Sequence, residues 1–152
     1  MEECDACDGD CVIEQFRVLS ASHVEGPVDY SHLPPTGGDH NPCWAPYGPH
    51  VDEVPAENWV HNLEHGAIVY LYNCPDGCDE EVANVEALAG SMPEATTLVS
   101  PYSAMTAGFA AVSWGWRLKM SCADEDMLRS FYEDHQGQAP EATTAGPPEA
   151  CM

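Results

Sequence analysis

A long segment rich in proline, glycine, histidine and aromatic residues occupies residues 20–56 and limits what this chain can fold into. It includes PPTGGDH and NPCWAPYGPH, which neither a helix nor a central strand tolerates, because proline fixes φ and lacks an amide hydrogen. The segment far exceeds the roughly 12–15 residues of an ordinary structureless connection, so it is either functional or disordered. Its Tyr30, Trp44 and Tyr47 favour packing. We therefore predict an ordered functional loop.

The remaining sequence alternates strand and helix signals. Strands are predicted at residues 11–19, 67–73, 95–100 and 110–120, and helices at 56–65, 79–88 and 123–135. With 152 residues, 44% of them hydrophobic, the chain can fill one core. We expect a single α+β domain, with a mostly antiparallel sheet packed by two or three helices and the long loop laid over one end.

The ends of the chain have a different composition from its middle. Residues 1–11 are rich in cysteine and aspartate and predict an N-terminal tether, whereas residues 142–152 predict a loose Pro/Ala-rich tail that Cys151 ties down. Residues 12–141 then form the globular domain.

The charge is strongly negative, with 26 acidic and 4 basic side chains giving a formal charge of −22. Such a surface repels phosphate backbones, so nucleic acid and anionic membranes are poor partners. No run approaches the roughly 18 apolar residues that a transmembrane helix needs. We expect a soluble protein whose partner is a metal ion, with any protein partner unknown.

The eight cysteines form an even set. At this density in a small acidic domain they predict disulfides, hence an oxidising compartment and an export signal that has been removed. The alternative is a metal or redox cluster at Cys4, Cys7 and Cys11, but the surrounding carboxylates disfavour thiolates there. Cys74 and Cys78 have the spacing expected of a disulfide that closes a hairpin turn. The pairing of the other cysteines stays open.

The clearest chemical motif is HNLEH, in which His61 and His65 lie four residues apart on the same face of a predicted helix. The pattern matches H-x-x-E-H of inverted zincins, where the glutamate, here Glu64, acts as general base. Those helices are long, whereas this one is about ten residues, which disfavours a peptidase. The structural alternative is that both histidines stabilise the C-terminal end of the helix through the helix dipole. Their pairing beside a histidine-rich loop favours a metal.

The other predicted ligands come from loops. His40 follows Gly37 and Gly38, which permit a sharp turn that brings its side chain inward; His23, His32 and His50 are alternatives. Met105, in an irregular segment, is the predicted fourth donor, although it could equally be core filling. Because a thioether with imidazoles suits copper better than zinc, the predicted ion is copper, with zinc as the alternative.

A family resemblance adds to this interpretation. The strings HV at 23–24, DY at 29–30, PPTGGDH at 34–40 and VHNLEHG at 60–66, with Pro42, Trp44 and Gly48, resemble a bacterial family of unknown function, DUF3105. FYEDHQGQAPE at 131–141 resembles the end of the same family. The resemblance implies a shared site for the loop histidine and H-x-x-E-H. Two positions depart from the pattern, since Gly38 is usually serine and His50 usually tyrosine.

Three classes of function remain, in order of preference. The first is an exported copper carrier, sensor or cuproprotein, with His40, His61, His65 and Met105 as ligands. The second is a zinc or copper enzyme that uses Glu64 as general base. The third is a disulfide-stabilised module that binds a partner and whose histidines are structural. The role of Glu64 discriminates the first two, because only a hydrolase needs it beside a metal-bound water.

Overall fold

The computed structural model describes residues 2–106 and 108–142, which form one α+β domain with a seven-stranded mixed sheet and three α-helices. The strands are β1 (Glu2–Glu3), β2 (Cys11–Gln15), β3 (Gly48–Pro49), β4 (Ile68–Asn73), β5 (Thr97–Pro101), β6 (Gly108–Ser113) and β7 (Trp116–Met120). The helices are α1 (Ala56–Glu64), α2 (Asp79–Gly90) and α3 (Glu125–His135), and a 3₁₀ turn spans Cys7–Gly9.

The sheet has the order β1-β2-β7-β6-β4-β5-β3. Four of its pairs are antiparallel, and the pairs β4–β5 and β3–β5 are parallel. Strand β5 runs parallel to β4 because α2 carries the chain back to the starting edge of the sheet, as a parallel connection requires. The predicted α+β class and its mostly antiparallel sheet are thereby confirmed.

Helices cover both faces of the sheet. Helix α1 packs Trp59 and Leu63 on one face, and α2 and α3 pack residues such as Leu88 and Phe131 on the other. Strand β4 lies between these layers: Ile68 and Tyr70 belong to one cluster, and Val69 and Leu71 to the other. Burial on both faces explains why its sequence is continuously apolar instead of alternating.

The strand predicted over residues 110–120 is wrong, because that segment is a hairpin of β6 and β7. Gly115 turns the chain with φ of +88°, a left-handed conformation that glycine adopts without steric cost. The alternation of large side chains led to the error. Val112 faces α1, whereas Leu118 faces α2 and α3, so the expected single apolar face is divided between the two sides of the sheet.

Other boundaries differ by a few residues. Strand β2 ends at Gln15, and the two-residue strands β1 and β3 were not predicted. At the start of α2 the capping residue is Cys78, and Asp79 lies in the first turn of the helix. Helix α1 ends at Glu64, and Gly66, two residues later, has a φ of +89°, the left-handed conformation that commonly follows the end of a helix. The predicted tie of the tail by Cys151 lies outside the described residues.

Disulfides are confirmed in the described part of the chain. They join Cys4 to Cys11, Cys7 to Cys122 and Cys74 to Cys78, and Cys43 is disulfide-bonded as well. Cys4, Cys7 and Cys11 are therefore not available as thiolate ligands, and the cluster alternative fails. These bonds indicate an oxidising environment. Among the described helices, none has both the length and the apolar character needed to cross a membrane.

Candidate metal centre

The long loop is held against the sheet by β7 and the turn before it. Arg117 donates to the carbonyl oxygen of Leu33 at 3.0 Å and pairs with Glu14 at 2.7 Å. The amide of Gly115 donates to the carbonyl of Thr36 at 2.7 Å. The Arg117 side chain is buried, and its positive charge is balanced by Glu14 and by backbone carbonyls, which limits the cost of burying it. The segment before His40 is fixed in this way.

Helix α1 fixes the next part of the loop through two asparagines four residues apart. The side chain of Asn62 accepts from the amide of Ala45 at 2.8 Å and donates to its carbonyl at 2.9 Å. Asn58 donates to the carbonyl of Cys43 at 2.9 Å. Residues at this spacing share one helix face, so the loop lies along α1 and satisfies its own buried backbone groups there. The histidines of the loop and of α1 are thereby brought to one place.

His40 reaches the centre through a sharp turn. Gly37 and Gly38 have φ of +145° and +108°, in the region that favours glycine. A Cβ at Gly37 would lie 2.8 Å from a methyl carbon of Val18, so the loop also packs too closely there for a side chain. Beyond the turn, the backbone of His40 forms a parallel bridge with His23. This bridge brings the two imidazole rings together edge to face, with centroids 5.0 Å apart.

The structure brings four potential donors together: His23, His40, His61 and Glu64. One ligand atom from each lies within 4.8 Å of the other three. The ring of His61 is 4.9 Å from that of His40 and 5.1 Å from that of His23, between centroids. His40, His61 and Glu64 are buried, whereas His23 is exposed and closes the cluster from the solvent side. Donors that each lie about 2 Å from one ion are at most about 4 Å apart, so binding requires the most distant of these atoms to move together by roughly 1 Å.

Backbone carbonyls orient two of the rings. Nδ1 of His40 is 2.8 Å from the carbonyl oxygen of Gly38, and Nδ1 of His61 is 2.9 Å from that of Asn41. A neutral imidazole that donates from Nδ1 has its lone pair on Nε2, and such an outer hydrogen bond is usual for metal-binding histidines. Each of these rings therefore offers Nε2 as a donor to the centre.

The Nε2 atom of His40 has an unusual environment. It is buried and makes no hydrogen bond within the described residues, although it lies 3.2 Å from Oε1 of Glu64. A buried acceptor without a hydrogen bond costs free energy. The two atoms are close but not aligned for hydrogen bonding, which is the relation expected of two ligands that face one ion.

Burial controls the protonation of the site. It lowers the pKa of His40 and of His61, and hydrogen bonds from the rings to backbone carbonyls oppose this only in part. Burial also raises the pKa of Glu64 to about 7, with a further contribution from the neighbouring carboxyl of Glu141. Both buried histidines are therefore neutral at neutral pH, the form that binds metal.

His65 lies in a second group with Glu64 and Glu141, instead of with His40 and His61. Its Nε2 is 3.7 Å from Oε2 of Glu141. The amide of Glu141 donates to the carbonyl oxygen of Glu64 at 3.0 Å, so the segment after α3 packs on the end of α1. Glu64 is common to the two groups.

Met105 is buried in the cluster of apolar residues on the α1 face, with Tyr102 and Ala110. Its carbonyl oxygen accepts from Asn73 at 2.7 Å, and it lines a cavity of about 270 Å³ with residues of β2 and β7. This is the environment of a methionine that fills the core. Its thioether as a copper ligand stays a prediction.

The other loop histidines have partners of their own. His32 stacks on Phe16 at 3.7 Å and its Nε2 is 2.9 Å from Thr36, whereas Nε2 of His50 is 2.7 Å from the carbonyl oxygen of Pro46. From the sequence, His23 is only an alternative ligand, and Glu141 is not proposed as a donor. Sequence spacing could not identify these two residues. His23 reaches the cluster through its backbone bridge to His40, and Glu141 reaches it because the segment after α3 packs on α1.

Comparison with known proteins finds a family match. The family model described as "Protein of unknown function (DUF3105)" matches residues 23–147, which include all four donors of the centre. No curated protein and no solved structure matches the chain.

Proposed function

This chain belongs to the DUF3105 family, and we propose that it is an exported metal-binding protein that holds one copper ion through His23, His40, His61 and Glu64. The observation that carries the proposal is the convergence of the four donors, with two imidazoles oriented by backbone carbonyls and the buried Nε2 of His40 facing a carboxylate. Compared with the sequence prediction, His23 and Glu64 take the places of His65 and Met105.

The donor chemistry supports a borderline transition metal. Three imidazoles and one carboxylate suit copper, zinc and iron, whereas calcium and magnesium require more oxygen donors. Without a thioether among these four donors, the preference is for Cu(II) over Cu(I). At a site of nitrogen and oxygen donors the affinity for Cu(II) exceeds that for zinc. Zinc is the alternative ion.

The position of Glu64 favours a carrier or cuproprotein over a hydrolase. A general base lies beyond a metal-bound water and contacts that water, not the other ligands. Oε1 of Glu64 is instead 3.2 Å from Nε2 of His40, at the separation of two ligands of one ion. Four protein donors also fill a tetrahedral site, whereas catalytic zinc usually has three.

The proposed export follows from the disulfides. At least Cys4–Cys11, Cys7–Cys122 and Cys74–Cys78 must persist, and disulfides persist in secreted and periplasmic proteins. An oxidising environment also maintains copper as Cu(II), the ion that this donor set prefers.

The test is titration of metal-free protein with Cu(II) and with zinc, in competition with a chelator, followed by electron paramagnetic resonance of the copper form. We expect one tight copper per chain, nitrogen hyperfine structure from imidazoles, and quenching of the fluorescence of Trp44, whose ring centroid is 5.4 Å from that of His61. His40→Ala and His61→Ala each abolish tight binding.

His50→Ala is the matched control, because this loop histidine bonds to a carbonyl away from the centre. A double His40→Ala, His61→Ala variant that binds copper with unchanged affinity would refute the site. Tighter binding of zinc than of Cu(II) would refute the choice of ion. A zinc form that hydrolyses esters or peptides, and loses this activity but not its metal in Glu64→Gln, would favour the enzyme.

A further inference from the structure

We infer that the centre is dinuclear, with the Glu64 carboxylate bridging the first ion to a second ion bound by His65 and Glu141. This inference rests on the proposed function, because Glu64 is a ligand of the first ion. A carboxylate has two oxygens with about four acceptor positions, so it can bind one ion through each oxygen.

The geometry of α1 supports two adjacent positions. His61 and His65 are one helical turn apart, and their rings lie nearly parallel, at 15°, with centroids 5.2 Å apart. His61 belongs to the first group of donors and His65 to the second. In the second group, one ligand atom each from Glu64, His65 and Glu141 lies within 4.8 Å of the other two. Two ions bridged by Glu64 would thus be stacked along the helix, each beside one ring.

The electrostatics of the second position favour a cation. Glu64 is 6% exposed, and a carboxylate oxygen of Glu141 lies within 4.8 Å of one of its own. Two carboxylates this close repel each other unless a proton or a cation lies between them. The four basic side chains lie elsewhere: Arg117 pairs with Glu14, Arg129 pairs with Asp126, and Arg17 and Lys119 line separate cavities. A divalent ion would neutralise both carboxylates at once.

The two positions differ in exposure. Three of the four donors of the first ion are buried, whereas the Glu141 side chain is 50% exposed and that of His65 is 12% exposed. The second ion would have three protein donors and at least one position open to water or an added ligand. The buried ion is thus the tighter one, and the outer ion is exchangeable.

The competing explanation is a latch. The contact of His65 with Glu141, together with the backbone bond from Glu141 to Glu64, could serve only to hold the segment after α3 on α1. A latch requires no metal and gives no second binding event. Metal stoichiometry therefore separates the two explanations.

The test uses the full chain, metal-free and with disulfides intact, titrated calorimetrically with zinc alone in physiological salt and excess magnesium. Magnesium occupies surface carboxylates that bind divalent ions weakly. We expect two equivalents of zinc, one tight and one weaker. His65→Ala and Glu141→Gln each remove the weaker event and leave the tight one unchanged, while Glu64→Gln weakens both. Glu133→Gln, an exposed glutamate of α3, is the matched control and retains two.

A second readout uses Cu(II). Two bridged Cu(II) ions give a half-field resonance, which His65→Ala converts to the spectrum of one isolated ion. One tight equivalent in the wild-type protein, without a half-field signal, would overturn the second position and leave the proposed function intact. A weaker event that persists in both His65→Ala and Glu141→Gln would overturn it equally. No tight equivalent of either ion would instead refute the proposed function.

Discussion

Replacing Glu64 with glutamine should stabilise the metal-free protein while weakening its metal binding. Burial, followed by the neighbouring carboxyl of Glu141, raises the pKa of Glu64 from 4.5 to about 7. A carboxyl whose pKa is higher in the folded state binds protons more strongly there, so the free energy of unfolding falls as pH rises from about 4.5 to 7 and is then constant. Glutamine has nearly the same shape, stays neutral and can donate its amide to the Nε2 lone pair of His40.

The magnitude follows from the same pKa values. The rise of the Glu64 pKa from 4.5 to about 7 lowers the free energy of unfolding by at most about 3 kcal/mol above pH 7. Solvent on the exposed side of Glu141 screens part of the repulsion, which reduces the expected gain for Glu64→Gln to about 1–2 kcal/mol at pH 8. At pH 5 the gain is smaller, because Glu64 is then protonated in the folded state. Loss of one ligand should simultaneously weaken copper binding by at least about tenfold.

The assay is equilibrium unfolding in urea with a chelator present and disulfides oxidised, measured at pH 5 and at pH 8. Glu133→Gln, on the exposed face of α3, controls for the loss of one negative charge. A Glu64→Gln variant that is less stable than the wild type at pH 8 would refute the reasoning. So would a gain that is the same at both pH values, since the argument requires it to grow with the ionisation of Glu64.

Three further predictions test the rest of the structure. Because burial lowers the pKa of His40 and His61, protonation of these imidazoles should weaken copper binding only below pH 6.5. The test is isothermal titration of Glu64→Gln, which lacks the carboxyl whose pKa is about 7, and a loss of affinity in this variant already above pH 7 would contradict the prediction. Replacing Cys7 and Cys122 with serine should lower the free energy of unfolding by about 2–4 kcal/mol in urea, because the bond closes a long loop, and an unchanged midpoint would count against it. Arg117→Leu should lower the free energy of unfolding by about 3 kcal/mol, because it leaves loop carbonyls and a carboxylate unpaired. It should also increase the rate of amide hydrogen exchange in the loop, and unaltered exchange would show that Arg117 does not anchor the loop.

Local sequence was sufficient wherever one element dictates its own geometry. The spacing of His61 and Glu64 on α1, the stop at Gly66 and the apolar run of β4 follow from helical periodicity, a left-handed glycine and burial on both faces. The glycines before His40 correctly predict a sharp turn. The hairpin of β6 and β7 was missed because a two-residue turn interrupts an apolar alternation that by itself fits one strand.

Tertiary structure decided which side chains belong to the candidate metal centre. His61 and His65 have the spacing of two ligands of one ion, yet the segment after α3 brings Glu141 to His65, and the bridge to His40 brings His23 to His61. Sequence spacing specifies which side chains share a helix face, but not which distant segments pack against that face. Met105 illustrates the same limit, because whether a loop thioether points to a metal or fills the core depends on the packing of the sheet below it. The sequence determined the kinds of donor, and the long-range hydrogen bonds of the loop determined which of them meet.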